Sequence, residues 1–195
     1  MAVEVELKAR LDDFKPVKER LSTIGSYHRM YQKADSYWIR PQTAGPTLRV
    51  RQERGENADG TAYESVMVTF KAKEIINGIE VNDEREFSVS DIALFEDLLY
   101  CLGMNKVKCK EKNGWAWIVA ADAAAQGESA KQPFVLAEIS LVTGLGWFLE
   151  LEILLDEARR EEIAECRERL LALLARLEVS EDTIESRPYT VMLGG

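Results

Sequence analysis

The sequence predicts an α+β protein: an eight-stranded antiparallel sheet closed into a β-barrel, with helices packed on the outside. Three observations predict it. Val3, Val5 and Leu7 alternate with Glu4, Glu6 and Lys8, and this two-residue period recurs along the chain, as strands with one apolar and one charged face require. Glycine-containing polar turns separate these segments at hairpin spacing. Three other stretches carry apolar residues at helical spacing. Successive hairpins imply an antiparallel sheet, and closing it removes its unpaired edges. The charged faces then line the inside, and the apolar faces receive the helices.

The elements follow in order. Residues 3–11 read as a strand. Residues 12–24 carry Phe14, Val17, Leu21 and Ile24 at helical spacing, with Asp12 or Asp13 as N-cap and Gly25 as the stop. Residues 28–39 are strand-like, and 41–46 form a loop between two prolines. Residues 47–52 and 63–73 make a hairpin around the polar turn 55–60. Asn77 and Gly78 form a tight-turn pair, which joins 66–73 to 80–89. Ser90 or Asp91 caps a short helix bearing Ile92, Phe95, Leu98, Leu99 and Leu102, ended by Gly103. Asn113 and Gly114 read as another tight turn, between strands 106–112 and 115–121. The alanine-rich stretch 121–132 is a loop. Strands 134–142 and 148–155 flank the glycines Gly144 and Gly146. Asp156 or Glu157 opens a long amphipathic helix to Glu178, with Ile163, Cys166, Leu170, Leu171, Leu174 and Leu177 on one face, and a short tail follows. That face packs on the chain's own sheet or serves a homodimer; packing is the expectation.

The 195 residues are enough for one domain, residues 1–195, with a real core. A formal charge of −9 argues against nucleic-acid binding, which needs a basic surface. It leaves room for a small anionic ligand, because a local cluster can oppose the global sign. Cys101, Cys109 and Cys166 have no metal-ligand spacing, and their odd number gives no disulfide framework. Residues 1–10 are too charged for a signal peptide, and no apolar run reaches the roughly 18–20 residues of a membrane span, so a cytoplasmic protein without membrane attachment is expected. His28 is the only histidine, so a histidine zinc site or a Ser-His-Asp triad lacks material; it is read as an ordinary strand or loop residue.

Six segments carry like charges two apart: Glu4 and Glu6, Arg49 and Arg51, Lys71 and Lys73, Glu84 and Glu86, Lys110 and Lys112, Glu150 and Glu152. One such pair is ordinarily a solvated face. Six of them, pooled on one surface, repel unless opposite charges or a ligand compensate, and such a surface shifts pKa values and marks a site. The chemistry suits a polyphosphate. Arginine and lysine bind phosphate oxygens, and carboxylates hold Mg²⁺ or Mn²⁺, which bridge to substrate phosphates. No Walker A loop, G-x-G-x-x-G or kinase lysine motif is present. Trp115, Trp117 and Trp147 could stack on a base, but packing under helices is the plainer reading.

At these residues the chain resembles a known family. Glu4, Glu6 and Lys8 match the E-x-E-x-K signature of the CYTH superfamily, the triphosphate tunnel metalloenzymes. Asp35, Tyr37 and Trp38 resemble its D-x-Y-[YF], Leu48 to Arg51 its L-R-[IV]-R, Thr69 to Lys71 its T-[YF]-K, and Glu84 to Phe87 its R-E-[EF] strand. Gly144 to Glu152 closely resembles its G-L-G-x-F-[VL]-E-[LI]-E hairpin, and Tyr189 a C-terminal tyrosine of some members. The motifs occur in order over nearly the whole chain.

The resemblance implies an eight-stranded antiparallel tunnel that binds a small-molecule triphosphate with Mg²⁺ or Mn²⁺, as in class IV adenylyl cyclases, thiamine triphosphatases and inorganic triphosphatases. The class IV cyclase branch is the most similar, with a non-catalytic polyphosphate- or nucleotide-binding module as the alternative. It implies triphosphate contacts from Lys8, Arg49, Arg51, Lys71, Lys110 and Lys112. It implies metal contacts from Glu4, Glu6, Glu150 and Glu152, and catalytic roles for Lys8, Glu86 and Glu138. Two positions depart from the pattern. Lys112 stands where arginine is usual. Ser140 stands where an aspartate is usual, with Glu138 two residues earlier on the same strand face as its substitute.

Overall fold

The structure, a computed structural model, describes residues 2–42, 48–76, 79–120, 134–156 and 162–194; at 2–3, 71–76, 79–84 and 156 it describes the backbone alone. The expected loop at 41–46 lies mostly outside these residues. So do the Asn77–Gly78 turn, the loop at 121–132 and the first residues of the last helix.

The chain divides into two compact units, Met1–Met30 with Asn113–Gly195, and Tyr31–Lys112. The first contains β1 (Ala2–Leu11), α1 (Lys15–Ile24), β7 (Val135–Val142), β8 (Gly146–Asp156), α3 (Ile163–Arg176), a 3-10 turn (Glu181–Thr183) and α4 (Tyr189–Met192). The second contains β3 (Leu48–Asn57), β4 (Ala62–Ile76), β5 (Ile79–Ser88) and α2 (Ile92–Cys101). Strands β2 (Ser26–Ile39) and β6 (Asn105–Val119) run through both.

In the first unit the alternation works as the sequence requires. Leu7, Ala9, Ala137, Ile139, Leu149, Leu151 and Ile153 turn to one face and are buried under Val17 and Leu21 of α1 and Cys166, Leu170 and Leu174 of α3. The apolar stripe of α3 is thus covered by the chain's own strands. Leu173 joins it in the core, whereas Ile163 is exposed. Trp117 is buried, and Trp115 and Trp147 stack around Phe14 with ring centroids 4.0–6.0 Å apart, so these tryptophans pack a core. In the second unit α2 lays Ile92, Phe95 and Leu99 on Trp38, Val50 and Val68.

Helix ends follow local chemistry. Asp91 caps α2 by accepting from the Leu94 N–H, and Gly103, at φ +75°, reverses the chain behind it. Helix α1 begins at Lys15. Asp13 accepts from the Lys15 N–H at 3.0 Å, while the N-cap position itself falls to Phe14. Gly25 ends the helix. The β3–β4 hairpin forms, but its turn lies at 58–61 rather than 55–60, because Gly55 and Glu56 stay in the ladder opposite Tyr63 and Ala62. The hairpin at 144–146 forms as expected, with Val142 opposite Gly146. Ile76 stands opposite Ile79, the register of a two-residue connection.

Two expectations are corrected. The strand order is β1-β8-β7-β6-β2-β3-β4-β5, with β1 and β5 at its ends, and the sheet is not closed into a barrel. Local pattern dictates which strands pair. Closure depends on accumulated twist and shear, which the alternation does not encode. The β1 edge is instead covered by the C-terminal tail: Ile184 bridges Ala9, and the Glu185 N–H donates to the Lys8 carbonyl at 2.8 Å. Asn113 and Gly114 do not turn the chain; β6 runs straight through them. A Cβ on Gly114 would lie 2.0 Å from the Ile139 carbonyl oxygen, so this glycine permits close backbone approach to β7.

Candidate functional site

The other face of the first unit carries the charge. Register places Glu6 opposite Glu152, Lys8 opposite Glu150, and Arg10 opposite Phe148. Across the next ladder Glu138 stands opposite Glu150 and Ser140 opposite Phe148. The period of two therefore gathers Glu4, Glu6, Lys8, Glu138, Glu150 and Glu152, all sequence candidates, on one strand face. Glu4 and Glu6 are exposed, Glu150 and Glu152 half-buried and Glu138 buried. Burial, with the charges of Glu4, Glu138 and Glu6 and a hydrogen bond to Glu4, pushes the Glu152 carboxyl up to about 8. Among the described residues no group of three His, Cys, Asp or Glu side chains is already gathered in metal-holding geometry.

Lys8 is held by the tail. Its Nζ donates to the Arg187 carbonyl at 2.6 Å and lies 4.4 Å from the centre of the Tyr189 ring. Burial lowers its pKa, against the attraction of Glu6, Glu150 and Glu185. Arg10 pairs with Glu185 at 3.2 Å, and Arg187 donates to the same carboxylate. These donors hold the Glu185 carboxyl at about 2. Tyr189 meets Phe148 edge-on at 5.0 Å, closing the Arg10 row with a small apolar cluster that includes Val142. Ser140 lies fully buried on this row, and its hydroxyl has no hydrogen-bond partner among the described residues. Arg29 of β2 reaches Glu138 at 3.6 Å.

The second unit carries the cations. Arg51 grips Asp35 with its Nε at 2.7 Å and Nη2 at 2.9 Å, and Lys110 reaches the same carboxylate at 2.9 Å. Burial alone would raise the Asp35 pKa, but the Arg51 hydrogen bonds and charge, with Lys110, hold it well below the carboxylate range. Lys110 falls to about 8 because burial and the charges of Lys112 and Arg51 outweigh Asp35. Tyr37, half-buried, rises to about 12 through loss of solvent and the charge of Asp35 beside it. Arg49 donates to Thr69 at 2.9 Å, and Thr69 donates to Glu86 at 2.7 Å, with Arg49 and Glu86 3.5 Å apart. The side chains of Lys71, Lys73 and Glu84 lie outside the described residues; their backbones place Lys71 opposite Glu84.

Most sequence candidates thus fall on two charged faces, one in each unit. What the sequence does not assign is Asp35 as the partner of Arg51 and Lys110, Glu185 and Arg187 of the tail, Arg29, and Lys33. Asp35 had a signal in its D-x-Y motif. In the tail only Tyr189 had one; Glu185 and Arg187 had none, because Arg10 and Lys8 lie some 175–179 positions away.

No family model matches the chain. Over 98% of its length it is 25% identical to a Methanocaldococcus jannaschii protein named as a candidate adenylate cyclase, of which it covers 99%. Among solved structures, a Pyrococcus horikoshii OT3 protein superposes with a TM-score of 0.71 at 24% identity, covering 98% of each chain. A candidate adenylate cyclase of Vibrio parahaemolyticus superposes at 0.69 and 21%, again over 98% of each. A Hippeastrum candidate adenylyl cyclase described with a dominant triphosphatase activity matches at 0.55 and 10%, over 100% of this chain and 96% of that one. At these identities the solved structures speak for the fold. The full-length match and the shared fold agree with the E-x-E-x-K and G-L-G-x-F-x-E-x-E motifs and are consistent with the CYTH superfamily.

Proposed function

We propose that this protein is an enzyme that acts on a triphosphate with the help of Mg²⁺ or Mn²⁺. The observation that carries the reading is like charge held at close quarters. Lys110 and Lys112 are both buried on one strand, and Glu6 faces Glu152 across a ladder. Holding like charges close together is costly, and a polyanion on the lysines and a cation on the carboxylates would lower the cost. The M. jannaschii and Vibrio relatives, named as candidate adenylate cyclases, and the triphosphatase activity of the Hippeastrum protein support the same chemistry.

The donor set fits a hard divalent ion, because Glu4, Glu6, Glu150 and Glu152 offer only carboxylate oxygens on one face. Burial and the charges of Glu4, Glu138 and Glu6 raise the Glu152 carboxyl, and a cation bound on this face would oppose that rise. Such an ion, when bound, screens the charge of the phosphate chain. Arg49, Arg51, Lys110 and Lys112 bind and orient phosphate oxygens. Glu138, which pairs with Arg29 and stands opposite Glu150, lies two residues from Ser140 on the same strand face and takes the role of its missing acid. Hydrolysis needs a water in line with the terminal phosphorus; cyclisation needs the ribose 3′-hydroxyl in line with the α-phosphorus.

A second reading, a non-catalytic polyphosphate-binding module, is favoured by the buried hydroxyl of Ser140 where the family carries an acid. One experiment separates them: product analysis after incubation with ATP, inorganic triphosphate or thiamine triphosphate, with Mg²⁺ and with Mn²⁺. Cyclic AMP with pyrophosphate identifies a cyclase, and released phosphate a hydrolase. Binding without turnover of any of the three leaves the module, and no binding overturns both.

A further inference from the structure

The C-terminal tail does more than cover the β1 edge, because it also fixes a side chain of the charged face. Ile184 bridges Ala9, and the Glu185 N–H donates to the Lys8 carbonyl, which lays this part of the tail beside β1. Further on, the tail is anchored by Tyr189 and Met192, which pack with Val142, Leu145 and Phe148. Between these two anchors the chain meets the Lys8 side chain. Arg187 precedes Pro188, a position that favours extended backbone, and its carbonyl accepts from the Lys8 ammonium at 2.6 Å. The Tyr189 ring lies on the same ammonium, 4.4 Å from Nζ to its centre. Lys8 is left 9% exposed.

Lysine ends a flexible four-carbon stem in a point charge, and its entropy loss on ordering is among the largest of any side chain. A phosphate that meets a free lysine must order it; one that meets an ordered lysine need not. Of the three donors of the Lys8 ammonium, one goes to the Arg187 carbonyl, which leaves two in a fixed direction. The tail also brings a carboxylate whose charge favours the ammonium: Glu185, held in turn by Arg10 at 3.2 Å and Arg187 at 2.6 Å. We propose that Tyr189 is a positioning residue for Lys8: with the Arg187 carbonyl, its ring holds the ammonium in one direction before a phosphate oxygen arrives. The inference rests on the triphosphate reading above, and adds to it a residue that touches no substrate. In the loaded state the tail keeps its hold on Lys8, and the two remaining donors turn to phosphate.

The test is calorimetric titration of inorganic triphosphate, with Mg²⁺, into the full chain, its Tyr189→Phe, Tyr189→Leu and Lys8→Gln variants, and the Lys8→Gln/Tyr189→Leu double variant. Lys8→Gln is expected to weaken binding about tenfold or more, since a charged hydrogen bond is lost. Tyr189→Leu should weaken it roughly three- to tenfold, the cost of ordering one long side chain at the moment of binding. Tyr189→Phe keeps the ring and should retain the affinity. In the Lys8→Gln background Tyr189→Leu should cost nothing further, because a residue that acts through Lys8 then has nothing to position. Equal losses in both backgrounds would show Tyr189 serving the fold alone and overturn the inference. So would a Tyr189→Leu or a Lys8→Gln variant with unchanged affinity; in each of these cases the triphosphate reading stands. NMR of the unaltered chain gives a second readout: the Tyr189 ring shields the Lys8 Cε protons, and their upfield shift should persist when triphosphate binds. If the shift disappears on binding, the tail has released Lys8 and the inference is overturned; this measurement decides where Tyr189→Leu fails to fold. If the unaltered chain binds no triphosphate, the reading itself fails and the positioning role with it.

Discussion

Glu6 and Glu152 stand directly opposite each other across the β1–β8 ladder, a like-charged pair at a position where cross-strand partners normally attract. Burial first, and then the charges of Glu4, Glu138 and Glu6 with a hydrogen bond to Glu4, push the Glu152 carboxyl up to about 8. The folded protein therefore holds a proton that the unfolded chain releases near 4.5. With more protons bound in the folded state, stability falls as pH rises from about 4.5 to about 8. Glu152→Gln should raise the melting temperature at pH 8 and flatten that slope. Thermal denaturation at pH 5, 6.5 and 8 checks it, and an unchanged slope would remove the carboxylate cluster as its source. In the unaltered chain, Mg²⁺ or Mn²⁺ at pH 8 should raise the melting temperature, and Glu152→Gln should shrink that gain.

Arg51 and Arg49 should separate in stability. Arg51 holds the fully buried Asp35 side chain by two hydrogen bonds, so Arg51→Ala leaves that buried carboxylate to Lys110 alone and should cost about 3 kcal/mol. Arg49 pairs with the half-exposed Glu86, so Arg49→Ala should cost about 0–1 kcal/mol from that pair. Urea unfolding measures both. Equal losses would mean that the Asp35 grip does not matter to the fold.

On binding, the two arginines should behave alike. Each of Arg49→Ala and Arg51→Ala should weaken triphosphate binding about tenfold or more, and weaken monophosphate binding less. A comparison in which both ligands weaken equally would place these guanidiniums away from the phosphate chain.

Ser140 offers a test of opposite sign. Its hydroxyl is buried without a hydrogen-bond partner among the described residues, so Ser140→Ala should leave stability unchanged or raise it by up to about 1 kcal/mol. Ser140→Asp puts a carboxylate in the same enclosed place, beside Phe148 and two residues from Glu138, and should destabilise the protein above about pH 5. A destabilised Ser140→Ala would reveal a hydrogen bond to this hydroxyl.

Gly114→Ala should cost about 1–3 kcal/mol or more, because the new Cβ meets the Ile139 carbonyl oxygen at 2.0 Å within paired backbone that has little room to give. Denaturant titration measures it. A neutral result would show that β6 and β7 can separate locally.

The sequence by itself determined most of the strands and hairpins and the sorting of side chains by face. The period of two is a local property: once Val5, Leu7 and Ala9 point to the core, Glu4, Glu6 and Lys8 must point away from it. It likewise determined the caps at Asp91 and Gly25, which depend on residues a few positions apart. Asn113 and Gly114 misled because the same dipeptide serves a turn or a close strand contact, and only the neighbouring β7 backbone distinguishes them. Tertiary structure alone decided that the sheet stays open, that the tail from Ile184 to Tyr189 covers the β1 edge and holds Lys8, and that Asp35 takes the fork of Arg51. Each of these sets a charge or an edge against a partner distant in sequence. No local period encodes such pairings, because they follow from which strands the whole fold brings together.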